Sequence, residues 1–331
     1  MTFNPSHFFR FFTCCCLVGC SLFAATAYGD EFVGPLEKPP APDEKNAFDK
    51  PREYLAGKVV EYMGGIDRFF GDDRNYQETN DSMLQLDLSR VVGYEDYHQW
   101  ELSGRAKINL PTLERRLHLL VESDPDKNPA VDPARNRAPP IKPATTPKSF
   151  AAALRYEKKQ SERWHLSTDG GLKFQGIKLT PFTRARASVD IPMDVWRMKA
   201  AQSLFWFNTI GLGESTQLDL ERQISEPIQL RTTSSATWLK ETQNVDLRQD
   251  ISFFHKLDDR SVILYQASVT GVSRPTVKVS EYVLLLLLRY RVHRDWVFME
   301  LGQQIHFPES RNFRPSPVLS MRLELLFEET K

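Results

Sequence analysis

The sequence predicts an all-β fold: a transmembrane, antiparallel, up-and-down β-barrel of about 14 strands, with 12 as the alternative count, preceded by a short helix. Three observations predict this fold. Apolar and polar residues alternate with a period of two from Met83 almost to the end of the 331-residue chain. Many of these alternating segments have about ten residues, the length that a tilted strand needs to cross a bilayer. The chain also begins with an export signal.

Residues 1–29 are predicted to be a signal peptide. One charge, Arg10, precedes an apolar stretch over 11–23 and the small residues 25–27, Ala-Thr-Ala, which signal peptidase prefers. Because a membrane-spanning helix needs about 20 apolar residues, cleavage is favoured over retention as an anchor. A lipoprotein-type signal with Cys20 acylated is the alternative. All the cysteines lie in this segment, so cleavage leaves a mature chain without thiols: Cys14, Cys15, Cys16 and Cys20.

Composition and motif content argue against several kinds of binding partner. Lys and Arg together number 43, as do Asp and Glu, and there is no long basic run, so nucleic acid is not an expected partner. The seven histidines lack metal-ligand spacing, and the sequence has no phosphate loop or dinucleotide fingerprint. No metal or cofactor is therefore expected. The glycines at 211 and 213 are interpreted as part of a loop.

Two segments are predicted between the signal peptide and the barrel. Residues 30–50 are rich in proline and charge and should form a mobile arm. Residues 51–81 should be a short periplasmic helical segment, because apolar residues recur at three- and four-residue steps over 52–70. These apolar residues are Tyr54, Leu55, Val59, Tyr62, Met63, Ile66 and Phe69. The whole stretch over 30–81 is long enough to enter a barrel as a plug.

The barrel is predicted over 82–331. An even number of strands keeps the N-terminal and C-terminal ends of the barrel sequence on one side of a membrane. The alternating segments are 84–88, 100–110, 117–122, 150–157, 164–174, 182–191, 196–207, 216–223, 230–239, 245–254, 262–269, 279–292, 296–307 and 317–327.

Connections between these strands fall into two sets. One set is tight, over 192–194, 225–227, 257–259 and 293–295, whereas the other contains the longest linker, over 124–148. Short turns at one rim and longer loops at the other are typical of outer-membrane barrels. Trp164, Trp196 and Trp296 each follow a short turn, so all three should lie at one rim as an aromatic girdle. Three core tryptophans of a soluble sandwich are the alternative.

The stretch EYVLLLLLRYR, over 281–291, is too short between its charges to span a membrane as a helix. As a strand, it points Tyr282, Leu284, Leu286 and Leu288 at lipid, and its arginines inward.

Charged residues at inward positions of the strands are the candidate functional residues. They either line a hydrated channel or form a salt-bridged interior that only holds the barrel together. Both signs are well represented, which argues against a strongly ion-selective pore. The predicted lumen-lining residues are Arg184, Arg186, Asp190, Arg197, Lys199, Asp219, Glu221, Arg289, Arg291, Glu300, Arg322 and Glu324.

Two stretches resemble a known family. YRVHRDWVFMELGQQIHFPESRNFRPSPVLSMRLELLF and FFGDDRNYQETNDSMLQLDL are similar to hypothetical exported outer-membrane proteins of proteobacteria. The resemblance implies a barrel in a Gram-negative outer membrane, in contact with its lipid and lipopolysaccharide, and carries no activity. The end of the last strand, Leu325-Leu326-Phe327, resembles the signal that the barrel-assembly machinery reads, although Glu328 to Lys331 follow it.

A second resemblance concerns RWHLSTDGG, over 163–171. His165 and Ser167 have the His-x-Ser spacing of outer-membrane phospholipase A and the lipid A deacylases, in which the imidazole takes the serine proton. In those lipases the pair faces lipid. Here Trp164 and Leu166 mark the lipid face, so His165, Ser167, Asp169 and Lys173 should point into the lumen.

The sequence thus favours a non-enzymatic outer-membrane barrel, either a passive channel for a small solute or a mainly structural barrel. A lipid hydrolase using Ser167 and His165 is the alternative from another class. A soluble periplasmic β-sandwich is the third hypothesis.

Overall fold

The computed structural model describes residues 82–93, 98–110, 116–127, 149–159, 163–292 and 296–328, together with Gly65 and Phe69. The chain divides into two units, and all of these residues belong to the second, Ala47–Lys331. The predicted signal peptide, the arm over 30–50, most of the segment over 51–81 and the turn over 293–295 lie outside the described residues.

The described chain forms one closed antiparallel barrel of 14 strands, each paired with its neighbours in sequence. This confirms the predicted fold class and strand count, and a single closed sheet excludes the two-sheet sandwich. The strands are β1 (Met83–Val92), β2 (His98–Asn109), β3 (Leu117–Ser123), β4 (Phe150–Lys159), β5 (Trp164–Gln175), β6 (Lys178–Met193), β7 (Trp196–Phe207), β8 (Gly211–Ser225), β9 (Ile228–Leu239), β10 (Asn244–Lys256), β11 (Ser261–Val272), β12 (Lys278–Arg291), β13 (Val297–Pro308) and β14 (Ser316–Glu328). Short 3₁₀ turns lie at Pro125–Lys127 and Glu309–Arg311.

The first and last strands close the barrel. They pair antiparallel over ten residue pairs, from Met83 with Glu328 to Val92 with Leu319. The start of β1 and the end of β14 therefore lie at the same end of the barrel, which we call the terminal rim. The other end, where β1 stops and β2 begins, is the opposite rim.

The start of β8 differs from the sequence interpretation. Residues 211–213 belong to the strand, so their prediction as a loop is wrong. Gly211 has a φ of +75°, a conformation that favours glycine, at the point where the chain leaves the preceding turn. Gly213 lies beneath an aromatic ring, because a Cβ there would come within 2.3 Å of the Phe205 side chain. Gly211 therefore allows the strand to begin directly after a turn, and Gly213 leaves room for the Phe205 ring.

The two rims differ less than the sequence suggested. At the terminal rim, β6 joins β7 through Asp194-Val195; at the opposite rim, β5 joins β6 through an equally short pair, Gly176-Ile177. Only the connection between β3 and β4 is long, and all other connections have seven residues or fewer. The expected contrast between short turns and long loops therefore depends on that one connection.

Little of the predicted N-terminal helix is described. Gly65 and Phe69 both have helical conformation. Among the described residues, no helix is long and apolar enough to cross a membrane.

The two faces of the barrel wall have opposite character. Along β12, Leu284, Leu286 and Leu288 are 37–50% exposed, whereas Val283, Leu285 and Arg289, which point to the opposite face, are 5% exposed or less. The same alternation runs through the other strands. Exposed apolar residues form the outer face, and the inner face contains many buried charged side chains, so the wall is inverted relative to a soluble protein.

Candidate functional site

The inner face of the barrel is the candidate functional site. The predicted lumen-lining residues occupy inward positions on β6, β7, β8, β12, β13 and β14, and all except Arg186, Asp190, Arg291 and Arg322 are 9% exposed or less. Arg186 donates to Ser203 Oγ at 3.2 Å. Arg291 lies at the terminal rim, where it donates to the backbone carbonyl of Asp259 at 2.7 Å. Lys199 lies in register with Asp190 and Asp219.

A first group of charges extends over β2 to β6. Arg184 on β6 donates two hydrogen bonds of 3.0 Å to Glu122 on β3, across two intervening strands. Arg155 and Arg184 both donate to Asp169, at 2.6 and 3.0 Å. We call this group the first charge cluster; its members are Lys107, His118, Glu122, Arg155, Glu157, Asp169 and Arg184.

A second charge cluster joins β6 to β9. Glu221 forms an ion pair with Arg231, with Nε 2.7 Å from Oε1, and lies 3.6 Å from Arg197, which also binds Asp190. The guanidinium of Arg231 also lies 5.0 Å from the centre of the Phe254 ring. The carboxylate of Glu221 is therefore held between two cations on neighbouring strands.

The third charge cluster lies where the barrel closes. Arg289 donates to Glu300 at 2.5 Å and to Glu324 at 2.7 Å. Arg322 donates to the same Glu300 at 2.6 Å and lies 3.9 Å from Asp87 on β1. Two arginines thus alternate with three carboxylates from β12 to β1.

The clusters explain how so many charges remain buried. Removing an ion from water is expensive unless an opposite charge and further hydrogen bonds compensate it. Each cluster contains both signs, often with two hydrogen bonds between one guanidinium and one carboxylate, which is the strongest form of the pair. Charge is therefore neutralised locally along the wall, and neither sign dominates the lumen.

Between the clusters, part of the inner face is apolar. We call this part the lumenal apolar surface. Its members are at most 5% exposed: Met83, Leu120, Ala151, Ala153, Phe182, Phe205, Phe207, Phe298 and Leu326 in one group, and Phe254, Val262, Leu264 and Leu285 in another.

Phe69, from the chain before β1, contacts this surface. Its ring lies 5.6 Å from that of Phe298, at an interplanar angle of 85°. The guanidinium of Arg289 lies 5.8 Å from the Phe69 ring centre. Because Phe298 and Arg289 face inward, Phe69 lies inside the barrel, where it packs against both groups of the lumenal apolar surface.

His165 and Ser167 also face the interior. The Ser167 side chain is buried on β5, in register with Glu157 and Arg186. His165 Nε2 lies 4.0 Å from Glu157 Oε2, and among the described residues Ser167 makes no hydrogen bond to His165. The pair therefore has neither the activated serine nor the lipid-facing position of the lipases that the motif resembles.

The tryptophans lie near both rims. Trp164, Trp196 and Trp296 are at the terminal rim, and Trp296 stacks on the outward Phe327 with ring centres 4.9 Å apart. Sequence reasoning missed a second group, near the opposite rim: Trp100, Trp206 and Trp238, on β2, β7 and β9. The alternation of the strands, which places them on the outer face, could have revealed them.

Sequence reasoning also missed several lumenal charges. Lys107, Glu122, Arg155 and Glu157 all occupy buried inward positions, as does Arg231. The same period of two would have identified them, because each alternates with an apolar outward neighbour. Within the described part of the chain, no group of three or more His, Cys, Asp or Glu residues is arranged to hold a metal ion.

Comparison with known proteins gives a limited result. No family model matches the chain, and no curated protein matches it. Among solved structures, OprB of Pseudomonas putida has a TM-score of 0.47 at 9% identity, covering 78% of this chain and 97% of its own. A loop-deletion mutant of OmpT, an outer membrane protein of Vibrio cholerae, has 0.46 at 9%, covering 75% and 98%. The outer membrane channel DcaP of Acinetobacter baumannii has 0.41 at 9%, covering 75% and 96%. These likenesses carry no activity or solute to this chain, and its resemblance to proteobacterial proteins stays a prediction.

Proposed function

We propose that this protein is a barrel of the Gram-negative outer membrane, with a lumen that serves as a passive channel for small polar solutes. The observation that supports it best is the inversion of the wall. Exposed leucines cover the outer face, and paired charges cover the inner face. Exposing this apolar outer face to water would cost a large amount of free energy, whereas contact with lipid would not.

The separation of two tryptophans on β7 fits the thickness of an outer membrane. Trp196 and Trp206 lie on the same face of β7, ten residues apart. At about 3.3 Å per residue they are separated by roughly 33 Å along the strand, or about 25 Å along the barrel axis for a strand tilted by about 40°. This is the height of the apolar band of an outer-membrane barrel, and its aromatic residues lie at both interfaces.

A channel suits the size and lining of the barrel. Side chains fill a barrel of about eight strands, and wider barrels enclose additional space. The paired charges would keep this space hydrated and would give it little preference for cations or anions. Lipid and lipopolysaccharide would surround the outer face, and the barrel-assembly machinery would insert it.

Planar bilayers test the proposal with the full chain. We expect stepwise conductance and a reversal potential close to zero across a KCl gradient, with heat-unfolded protein as the control. Bilayers that stay silent with protein whose heat-dependent gel mobility shows a folded barrel would favour the purely structural alternative. Extraction without detergent would contradict the membrane location itself.

A further inference from the structure

A group of polar side chains lies on the outer face of the barrel wall. Gln202 on β7 shares this face with Trp206, and its partner in register on β8 is Thr216. We call the group the outer polar patch; its members, all partly exposed and on β7 to β10, are Gln202, Glu214, Thr216, Thr232, Ser234 and Gln249. The outer face of β14, in contrast, presents Leu319 and Met321, which are 44% and 47% exposed.

The patch lies within the apolar band of the wall. Gln202 precedes Trp206 by four residues, and Ser234 precedes Trp238 by four. Both tryptophans lie near the opposite rim. Four residues correspond to about 13 Å along a strand, or about 10 Å along the barrel axis at a tilt of about 40°. At that depth a bilayer offers acyl chains and no headgroups.

Hydrogen bonds within the patch use only part of its polar capacity. Gln202 Nε2 donates to Glu214 Oε1 at 2.5 Å, and Gln202 Oε1 accepts from Thr216 at 2.7 Å. Ser234 donates to the side-chain carbonyl of Gln249 at 2.5 Å. A carboxylate has two oxygens with about four acceptor sites, and the bond from Gln202 occupies one of them. Because unused polar groups cost free energy in hydrocarbon, a partner with polar groups of its own is favoured over lipid at this surface.

A second copy of this chain fits these groups. The patch contains amide and hydroxyl donors beside amide and carboxylate acceptors, so the same surface can pair with itself in a symmetric contact. Lipid tails are as apolar as leucine, so apolar surface gains little by leaving lipid, whereas polar and small residues hold membrane-embedded surfaces together. Ala200 and Ala236, on the same outer face, are small residues beside the patch, in register with Leu218 and Thr216.

We propose that the outer polar patch is the contact between copies of this chain in the membrane, with Gln202 and Gln249 as its main hydrogen-bonding residues. The inference rests on the proposed membrane location of the outer face and does not rest on the proposed channel.

The dissociation constant of the oligomer tests the contact. Full chain extracted from membranes in a mild detergent should sediment as an oligomer. Gln202→Leu combined with Gln249→Leu should raise the dissociation constant by roughly tenfold or more, because hydrogen bonds between copies are lost while the outer face becomes more lipid-like. Gln303→Leu is the matched control: the same substitution at an exposed outward position of β13, in register with Leu286, should leave the constant unchanged.

Added bulk tests the same contact in a second way. Ser234→Trp should also dissociate the oligomer, because lipid accommodates a larger side chain and a packed contact does not. Leu319→Trp, on the outer face of β14, is its control and should leave the oligomer intact. Heat-dependent gel mobility checks that each variant is a folded barrel.

The outcomes separate this inference from the membrane location. A monomeric wild type at every protein concentration would overturn the contact, as would an oligomer that dissociates equally in wild type and in the patch variants. Sedimentation of the wild type only with a different protein would overturn the second copy as the partner. Extraction without detergent would instead refute the membrane location, and the contact with it.

Discussion

Arg289 on β12 binds Glu324 on β14, past the strand between them, with Nη2 2.7 Å from Oε1. Glu300, on that intervening β13, accepts from the same guanidinium at 2.5 Å. One arginine thus connects three successive strands beside the seam where the barrel closes. Its loss would leave two buried carboxylates with Arg322 as their remaining partner within this cluster.

Replacing Arg289 should therefore destabilise the barrel strongly. We expect Arg289→Met to lower the free energy of unfolding by about 3–5 kcal/mol, because it leaves buried carboxylates undercompensated. Denaturant titration in lipid vesicles measures the change. Lys278→Met is the control: its ion pair with Glu309 is 41–43% exposed, so its loss should cost only about 0–1 kcal/mol. Similar losses for the two variants would contradict the role of the third charge cluster.

An arginine on the outer face should cost more stability near the middle of a strand than at its end. Leu286 lies near the middle of β12, and Val292 follows the end of that strand. If the outer face meets lipid, Leu286→Arg should cost about 2–4 kcal/mol and Val292→Arg about 0–1 kcal/mol. The same vesicle titration measures both variants. Equal costs would indicate that the wall does not lie in a bilayer.

Ser167 should have no catalytic role. Because Ser167 is buried on the inner face and makes no hydrogen bond to His165 among the described residues, His165 does not activate its hydroxyl in this arrangement. Wild type and Ser167→Ala should therefore give the same background signal in phospholipid and lipopolysaccharide deacylation assays. Deacylation by the wild type that the substitution abolishes would revive the hydrolase hypothesis.

The turn between β10 and β11 should titrate at low pH. The backbone N–H of Arg260 donates to the Asp258 carboxylate at 2.7 Å, and Ser261 Oγ donates at 3.2 Å, so the pKa of Asp258 is held below its usual 3.8. A depressed pKa contributes stability above the ordinary value, and this contribution is lost as the pH falls through the folded pKa. An NMR titration should find the lowered pKa. A value at or above 3.8 would contradict the turn geometry.

The strands and their two faces were predictable from the alternation of apolar and polar residues, because this pattern can be read from adjacent residues in the sequence. The lipid-facing assignment of Leu284, Leu286 and Leu288 on β12 follows from it, and so does the inward direction of Arg289. Residues 211–213 were misassigned because glycine is common both in turns and beneath aromatic rings, and the ring that covers Gly213 belongs to β7, another strand.

Pairing across several strands could not be predicted. That Arg184 reaches Glu122, or Arg289 reaches Glu324, depends on the registers of every strand between them. The position of Phe69 depends in addition on the interior space of the closed barrel.

The seam between β1 and β14 also governs how the protein is made. Met83 and Glu328 are neighbours in the sheet although nearly the whole barrel sequence separates them. A nascent chain that has not yet released β14 cannot close, so β1 and the last strand made both carry unpaired backbone groups, which are templates for association with other chains. Until β14 pairs with β1, the sheet therefore has two open edges. A chaperone that binds strand edges until Ser316–Glu328 arrive would protect the molecule at its most aggregation-prone stage.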